Sequence, residues 1–293
     1  MIRPITVGVD GSPESRAAAD WAAREARRRA LPLRLVQAWV WRPPDVPAGD
    51  DHSTQKRWAL RVLDDVEREV RDRHPDLPLS TQLVSETVTD ALLAQSNLAE
   101  LLVLGSSGHG AVTGFLLGSV GHQVLAHATR PVVMVRGEPR GGPRAAGHED
   151  GDVVLGVQEP GGLPAPLLEF AFEAADARAA GLRVVHAPKL PPLYGYGPAV
   201  ARLAAQDGCI TGQARTSLTD ALQPWREKYP RVPVSVTVEL AHASGVLLEA
   251  AARAALVVVG RAVRRPVIGM RIGPVTHAVL HHAAAPVAVV PHD

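Results

Sequence analysis

Leu101-Leu-Val-Leu-Gly105-Ser-Ser-Gly108-His109-Gly110-Ala-Val-Thr-Gly114-Phe-Leu-Leu-Gly118-Ser119-Val120 runs from a short apolar segment through glycines into a helix start. The unbroken apolar run Leu101–Leu104 predicts a strand buried on both faces of a parallel sheet, since one wet face would give alternation. Glycines at 105, 108 and 110 allow positive φ and close approach of a bulky anion to the backbone. Gly118-Ser119 then opens a helix whose first N–H groups lack intrahelical partners and sit at the positive dipole end. That is an anion site, with the Ser119 hydroxyl beside it. The spacing suits a triphosphate held between a glycine turn and a helix N-terminus; a ligand-free surface loop is the alternative. No Gly-x4-Gly-Lys-Ser/Thr occurs, and no Gly-x-Gly-x-x-Gly follows the first strand, so neither common phosphate-loop pattern applies.

Outward from this stretch the chain repeats itself. Ile5-Thr-Val-Gly-Val-Asp10 matches Val153-Val-Leu-Gly-Val-Gln158, and Leu33-Arg-Leu-Val-Gln-Ala38 matches Leu182-Arg-Val-Val-His-Ala187. Leu101–Gly105 matches Leu256–Gly260, and His127-Ala-Thr-Arg-Pro-Val132 matches His282-Ala-Ala-Ala-Pro-Val287. The organisation read from this is a first domain over 1–137, a Gly- and Pro-rich linker over 138–151 and a second domain over 152–293. In the first domain strands read at 4–9, 33–39, 79–84, 101–104 and 132–136. Helices read at 13–30, 53–73, 88–98 and 118–128, the first begun by Ser12 as N-cap and Pro13 at N1. Alternating strand and helix predicts two tandem doubly wound, Rossmann-like parallel-sheet domains. Ligands of such folds sit at the carboxyl ends of strands, where the strand order reverses.

Composition excludes several classes. The 293 residues carry 31 basic and 30 acidic side chains, so no strong field steers the chain toward nucleic acid or an anionic membrane. No apolar run approaches the ~18–20 residues that span a bilayer. One cysteine, Cys209, permits no internal disulfide and fits a reducing compartment, so a cytoplasmic location is expected.

Gly105-x2-Gly108-x9-Gly118-Ser119 resembles the Gly-x2-Gly-x9-Gly-Ser/Thr signature of ATP-binding universal stress proteins. The first strand ending Val-Gly-Val-Asp-Gly-Ser, the second ending Ala-Trp, and the closing His-Ala-x-x-Pro-Val-Val-x-Val are similar to that family as well. The resemblance covers both domains and looks like the tandem type. It implies an adenine nucleotide α-hydrolase-like fold and an ATP site in the first domain. Gly105, Gly108 and the backbone through Gly110 would hold ribose and phosphates, and Gly118, Ser119 and Val120 would cap the outer phosphates. Asp10 would lie near the nucleotide through Mg²⁺ or water, Gly8 would keep space beside it, and the backbone of Ala38 would read the adenine edge. His109 either touches a phosphate or faces solvent. None of these is an evident general base or nucleophile, so the resemblance implies binding and regulation, with slow ATP hydrolysis or nucleotidyl transfer as one rival. A ligand-free interaction scaffold is the other. The family pairs its final strands, here 132–136 and 287–290, so an internal pseudo-dimer, a homodimer and a regulatory protein partner are further implications.

The second domain departs from the signature. Val263 stands for Gly108, Pro274 for Ser119 and Gln158 for Asp10, while Gly260 and Gly273 remain. Valine at a position wanting positive φ is the costliest change, and proline removes a donor. Arg261, Arg264, Arg265 and Arg271 leave anion binding by charge open, but a degenerate half is the expectation. His277 and His281, four apart on a helix, lack an evident third metal ligand. Trp39 and Trp41 read as core and rim, and the charged residues of 53–73 as an ion-paired solvated face.

Overall fold

The computed structural model describes residues 2–40, 52–106, 118–137, 150–188, 208–263 and 272–293. The chain divides into two compact units, Met1–Arg144 and Ala145–Asp293.

In unit one, β1 (Ile5–Gly8), β2 (Leu33–Ala38), β3 (Leu79–Val84), β4 (Leu101–Ser106) and β5 (Val132–Arg136) lie in the order β3-β2-β1-β4-β5, all parallel. Between them run α1 (Pro13–Arg28), α2 (His52–Arg73), α3 (Val88–Leu98) and α4 (Ser119–His127). Right-handed crossovers in this order put α1 and α2 on one face and α3 and α4 on the other. The α1–α2 and α3–α4 contacts agree. Ile5, Val7, Leu101, Leu102 and Val103 are fully buried, as strands covered on both faces require.

The first helix shows how local chemistry sets an element. Ser12 is its N-cap, its Oγ accepting the Ser15 N–H at 3.1 Å, with Pro13 and Glu14 in the first turn. Its buried face is mostly alanine, with Trp21, which lets the helix lie close on the sheet. The helix ends at Arg28, two residues before the end read from sequence. Ala30 takes φ 52° and the Leu31 N–H reaches back to the Ala26 carbonyl, a left-handed C-terminal cap with alanine where glycine is usual. Along α2, Glu67 pairs with Arg71 at 2.7 Å and Asp65 with Arg68 at 3.1 Å, the expected solvated ion-pair face.

Unit two repeats the plan. β6 (Val153–Val157), β7 (Leu182–His186), β8 (Val234–Val238), β9 (Leu256–Ala262) and β10 (Val287–His292) lie in the order β8-β7-β6-β9-β10, again parallel. They are joined by α5 (Ala165–Asp176), α6 (Cys209–Lys228), α7 (Ala243–Ala251) and α8 (Pro274–His282). Ala179 repeats the left-handed cap of Ala30, at φ 50°. Each unit is thus a doubly wound parallel sheet of five strands. No helix among the described residues is long and apolar enough to cross a membrane.

Candidate functional site

In unit one the strand order reverses between β1 and β4, because β1 leads outward to β2 and β3 while β4 and β5 extend the other way. The crevice beyond the carboxyl ends of these two strands is where such sheets take ligands. Two connections meet there: the turn Val9–Ser12 leading into α1, and the segment from β4 to α4.

The first connection is closed by its own hydrogen bonds. Gly11 takes φ +81°, which turns the chain sharply. Asp10 Oδ1 accepts the Ser12 N–H at 2.9 Å, and the Asp10 N–H donates to Ser15 Oγ at 3.3 Å. Partial burial opposes ionisation of Asp10, but hydrogen bonds from Ser12 and Ser15 outweigh it and hold the carboxyl below the usual carboxylate range. Asp10 is therefore an anion at neutral pH, exposed at the crevice, with acceptor capacity beyond the one N–H it takes. Ala38 ends β2 on the same edge, next along from the Val9 N–H to Val36 carbonyl bond of 2.8 Å. Trp39 beside it is buried, as expected for core.

Close packing acts on two glycines at this edge, Gly105 and Gly8. Gly105 does not follow the strand but belongs to it, pairing in register with Val135, and its φ is not left-handed. A Cβ there would stand 2.5 Å from the Glu14 carbonyl carbon and 2.8 Å from the Ser15 nitrogen. Gly105 is glycine because the first turn of α1 rests on β4. At Gly8 a Cβ would meet methyls of Leu92 and Leu104 at 2.9 Å, so packing of core leucines alone favours glycine there. Gly108, His109 and Gly110 lie outside the described residues.

Gly118 is different. It is the N-cap of α4, with φ −57° and ψ 157°, makes no side-chain cap bond, and a Cβ there would meet nothing within 4 Å. Ser119 is exposed and Val120 half-buried. The four-residue link from α4 to the start of β5 holds the helix C-terminus at the amino end of the sheet. Nine residues at ~1.5 Å rise then carry its N-terminus back toward the crevice edge. Arg136, which sequence reasoning passed over, ends β5 in register with Ser106, and burial lowers its pKa to about 10. It is still a cation at neutral pH, placed at the same carboxyl edge. The only signal for it in the sequence is a basic residue closing an apolar strand.

Unit two builds this edge otherwise. Val263 is exposed and directly follows β9, its N–H donating to the His292 carbonyl at 2.7 Å. The strain expected of valine at a left-handed position is absent, because strand pairing continues where a glycine turn was expected. Gly273 caps α8 without a side-chain bond, and Pro274 opens it lacking an N–H. Arg261 is buried at the end of β9; Arg264, Arg265 and Arg271 lie outside the described residues. His277 and His281 stack with ring centroids 4.1 Å apart, but no group of three metal-ligating side chains occurs among the described residues.

The model of the universal stress protein family matches residues 1–136 and again 153–291. A universal stress protein of Mycobacterium tuberculosis is 34% identical over 295 residues, covering 97% of this chain and 96% of the relative. One from Mycolicibacterium smegmatis is 34% identical over 300 residues, covering 98% and 96%. Among solved structures, a universal stress protein from Archaeoglobus fulgidus superposes with a TM-score of 0.67 at 15% identity, over 99% of this chain and 98% of that one. That likeness concerns the fold.

Proposed function

Since the chain belongs to the universal stress protein family, as a tandem of two of its domains, we propose that unit one binds ATP across the crevice between β1 and β4 and acts as a nucleotide-dependent regulator. The observation that carries this reading is the uncapped N-terminus of α4, whose cap glycine leaves open space at the edge that also holds Asp10 and the end of β2. Backbone N–H groups of Ser119 and Val120, with the Ser119 hydroxyl, would take outer phosphate oxygens. The segment holding Gly108, His109 and Gly110 would lie along the phosphates, and the backbone of Ala38 at the base. Asp10 is an anion beside that path, so it would sit there with Mg²⁺ or water between. The residues present fit such a group, because Asp10 has lone pairs left after accepting from Ser12.

ATP would act by its differential affinity for two conformations, one of which a regulatory protein partner recognises. The same reading gives a cytoplasmic homodimer joined through terminal strands. Mass spectrometry of material released from freshly purified protein, with thermal shift on adding ATP–Mg²⁺, tests it. Released adenine nucleotide and a raised melting temperature are expected. Neither nucleotide nor shift would leave an interaction scaffold without a ligand.

A further inference from the structure

Helix α8 is anchored by one face and shows the other to solvent. Thr276, Val279 and Leu280 are buried, while His277 and His282 are exposed and His281 is half-buried. Four residues apart, His277 and His281 stand one above the other on the helix surface. Their rings stack with centroids 4.1 Å apart and planes inclined at 30°. His282 does not join the stack: its ring lies 6.4 Å from that of His281, tilted by 51°.

Helix α4 of unit one does not repeat the pair. Its Ser119-Val-Gly-His122-Gln-Val-Leu-Ala126-His127 matches Pro274-Val-Thr-His277-Ala-Val-Leu-His281-His282 of α8. His122 repeats His277 and His127 repeats His282, but Ala126 stands in the place of His281. Unit one thus carries the first histidine without its mate. Alanine is the stronger helix former, so helix propensity does not select histidine at 281.

The stacked rings are close to a chelating geometry. Imidazole nitrogens at ~2.0–2.1 Å from one ion, about 90–110° apart, put their ring centroids about 4.5–5.2 Å from each other. The pair reaches that span by opening about 1 Å or less, which small side-chain rotations supply. The backbone need not move. The His277 N–H donates to the Gly273 carbonyl at 2.9 Å and the Ala283 N–H to that of Val279 at 2.8 Å, so the helix is tied at both ends. Donor chemistry names the ion: neutral imidazoles suit Zn²⁺, Ni²⁺ and Cu²⁺, whereas Mg²⁺ and Ca²⁺ take oxygen ligands. We infer that His277 and His281 chelate a divalent transition-metal ion on the outer face of α8, with water in its remaining positions. This site does not depend on the nucleotide reading of unit one.

The test uses the full chain without an affinity tag, titrated with Ni²⁺ in a calorimeter at neutral pH in a non-chelating buffer. Nucleotide is left out, because its phosphates bind the ion themselves. One Ni²⁺ per chain is expected. His277→Ala and His281→Ala should each weaken it at least about tenfold, since the helix holds the second imidazole at high effective concentration beside the first. Alanine suits a helix surface, and His281→Ala installs the residue that α4 carries, so both variants should keep the wild-type circular dichroism. His282→Ala and His122→Ala should stay within about twofold of wild type, because neither ring has a partner histidine four residues away. Excess Mg²⁺ should not displace the ion. No uptake, uptake that survives either alanine at 277 or 281, or an equal loss with His282→Ala would overturn the inference.

Discussion

Gly105→Ala is the substitution by which a loss of nucleotide binding would most easily be misread. The added methyl would stand 2.5 Å from the Glu14 carbonyl carbon, 2.6 Å from its oxygen and 2.8 Å from the Ser15 nitrogen, where ordinary contact begins at 3.4 Å. These are backbone atoms of the first turn of α1, so no side chain can swing away. Either α1 retreats by roughly 1 Å or β4 buckles away from β1 and β5. Overpacking of this kind costs about 1–3 kcal/mol, set against about 0.4–1 kcal/mol gained because alanine restricts the unfolded chain. A net loss of about 1 kcal/mol is expected, lowering the melting temperature by roughly 2–4 °C for a unit of this size. Differential scanning calorimetry without nucleotide measures it directly. Stability within about 0.5 kcal/mol of wild type would refute the packing account of Gly105 and return that glycine to the ligand.

Gly118→Ala and Ser119→Ala make the complementary pair. A Cβ at 118 meets nothing, so both variants should melt within about 2 °C of wild type while ATP affinity in dialysis falls about tenfold or more. Asp10→Asn should lose stability at neutral pH. The depressed carboxyl contributes fully above its unfolded value of 3.8 and loses that contribution as pH falls through the lower folded value, so urea titrations should show the wild-type advantage shrinking steadily as the pH drops below 3.8. Thr6 is fully buried with its hydroxyl lacking any hydrogen-bond partner, so Thr6→Val should raise stability by about 1 kcal/mol in the same assay. At Ala30, φ 52° costs alanine about 1–2 kcal/mol against glycine's entropy penalty of about 0.5–1 kcal/mol. Ala30→Gly should therefore stabilise by roughly 0.5 kcal/mol.

The fold was legible because both of its signals are strong. Strand-like runs, several of them continuously apolar, place the five strands of unit one within two residues of their observed ends, and Ser12-Pro13 marks the start of α1 at the residue. Ends were harder. Glycine reads as a break, yet Gly105 and Ser106 continue β4 beside Val135 and Arg136, because strand pairing tolerates a glycine that a neighbouring helix demands. Ala30 carries no terminating signal, since alanine is the strongest helix former, and only the observed φ reveals the cap. In the candidate site, spacing singled out Gly8 and Gly105 without separating two causes that both select glycine, close packing and close approach of a ligand. Contacts across elements separate them: leucine methyls stand at Gly8, backbone at Gly105, and open space at Gly118. The ring of bonds around Asp10 was invisible because Ser12 and Ser15 read as helix-start residues, and their second role depends on the turn at Gly11.

The asymmetry between the units is tested most directly by counting ATP bound per chain in equilibrium dialysis with Mg²⁺, for the wild type and for Ser119→Ala. One ATP per chain is expected, with that single event weakened by the substitution. Two per chain, or one that Ser119→Ala leaves untouched, would contradict the assignment of ATP to the crevice between β1 and β4.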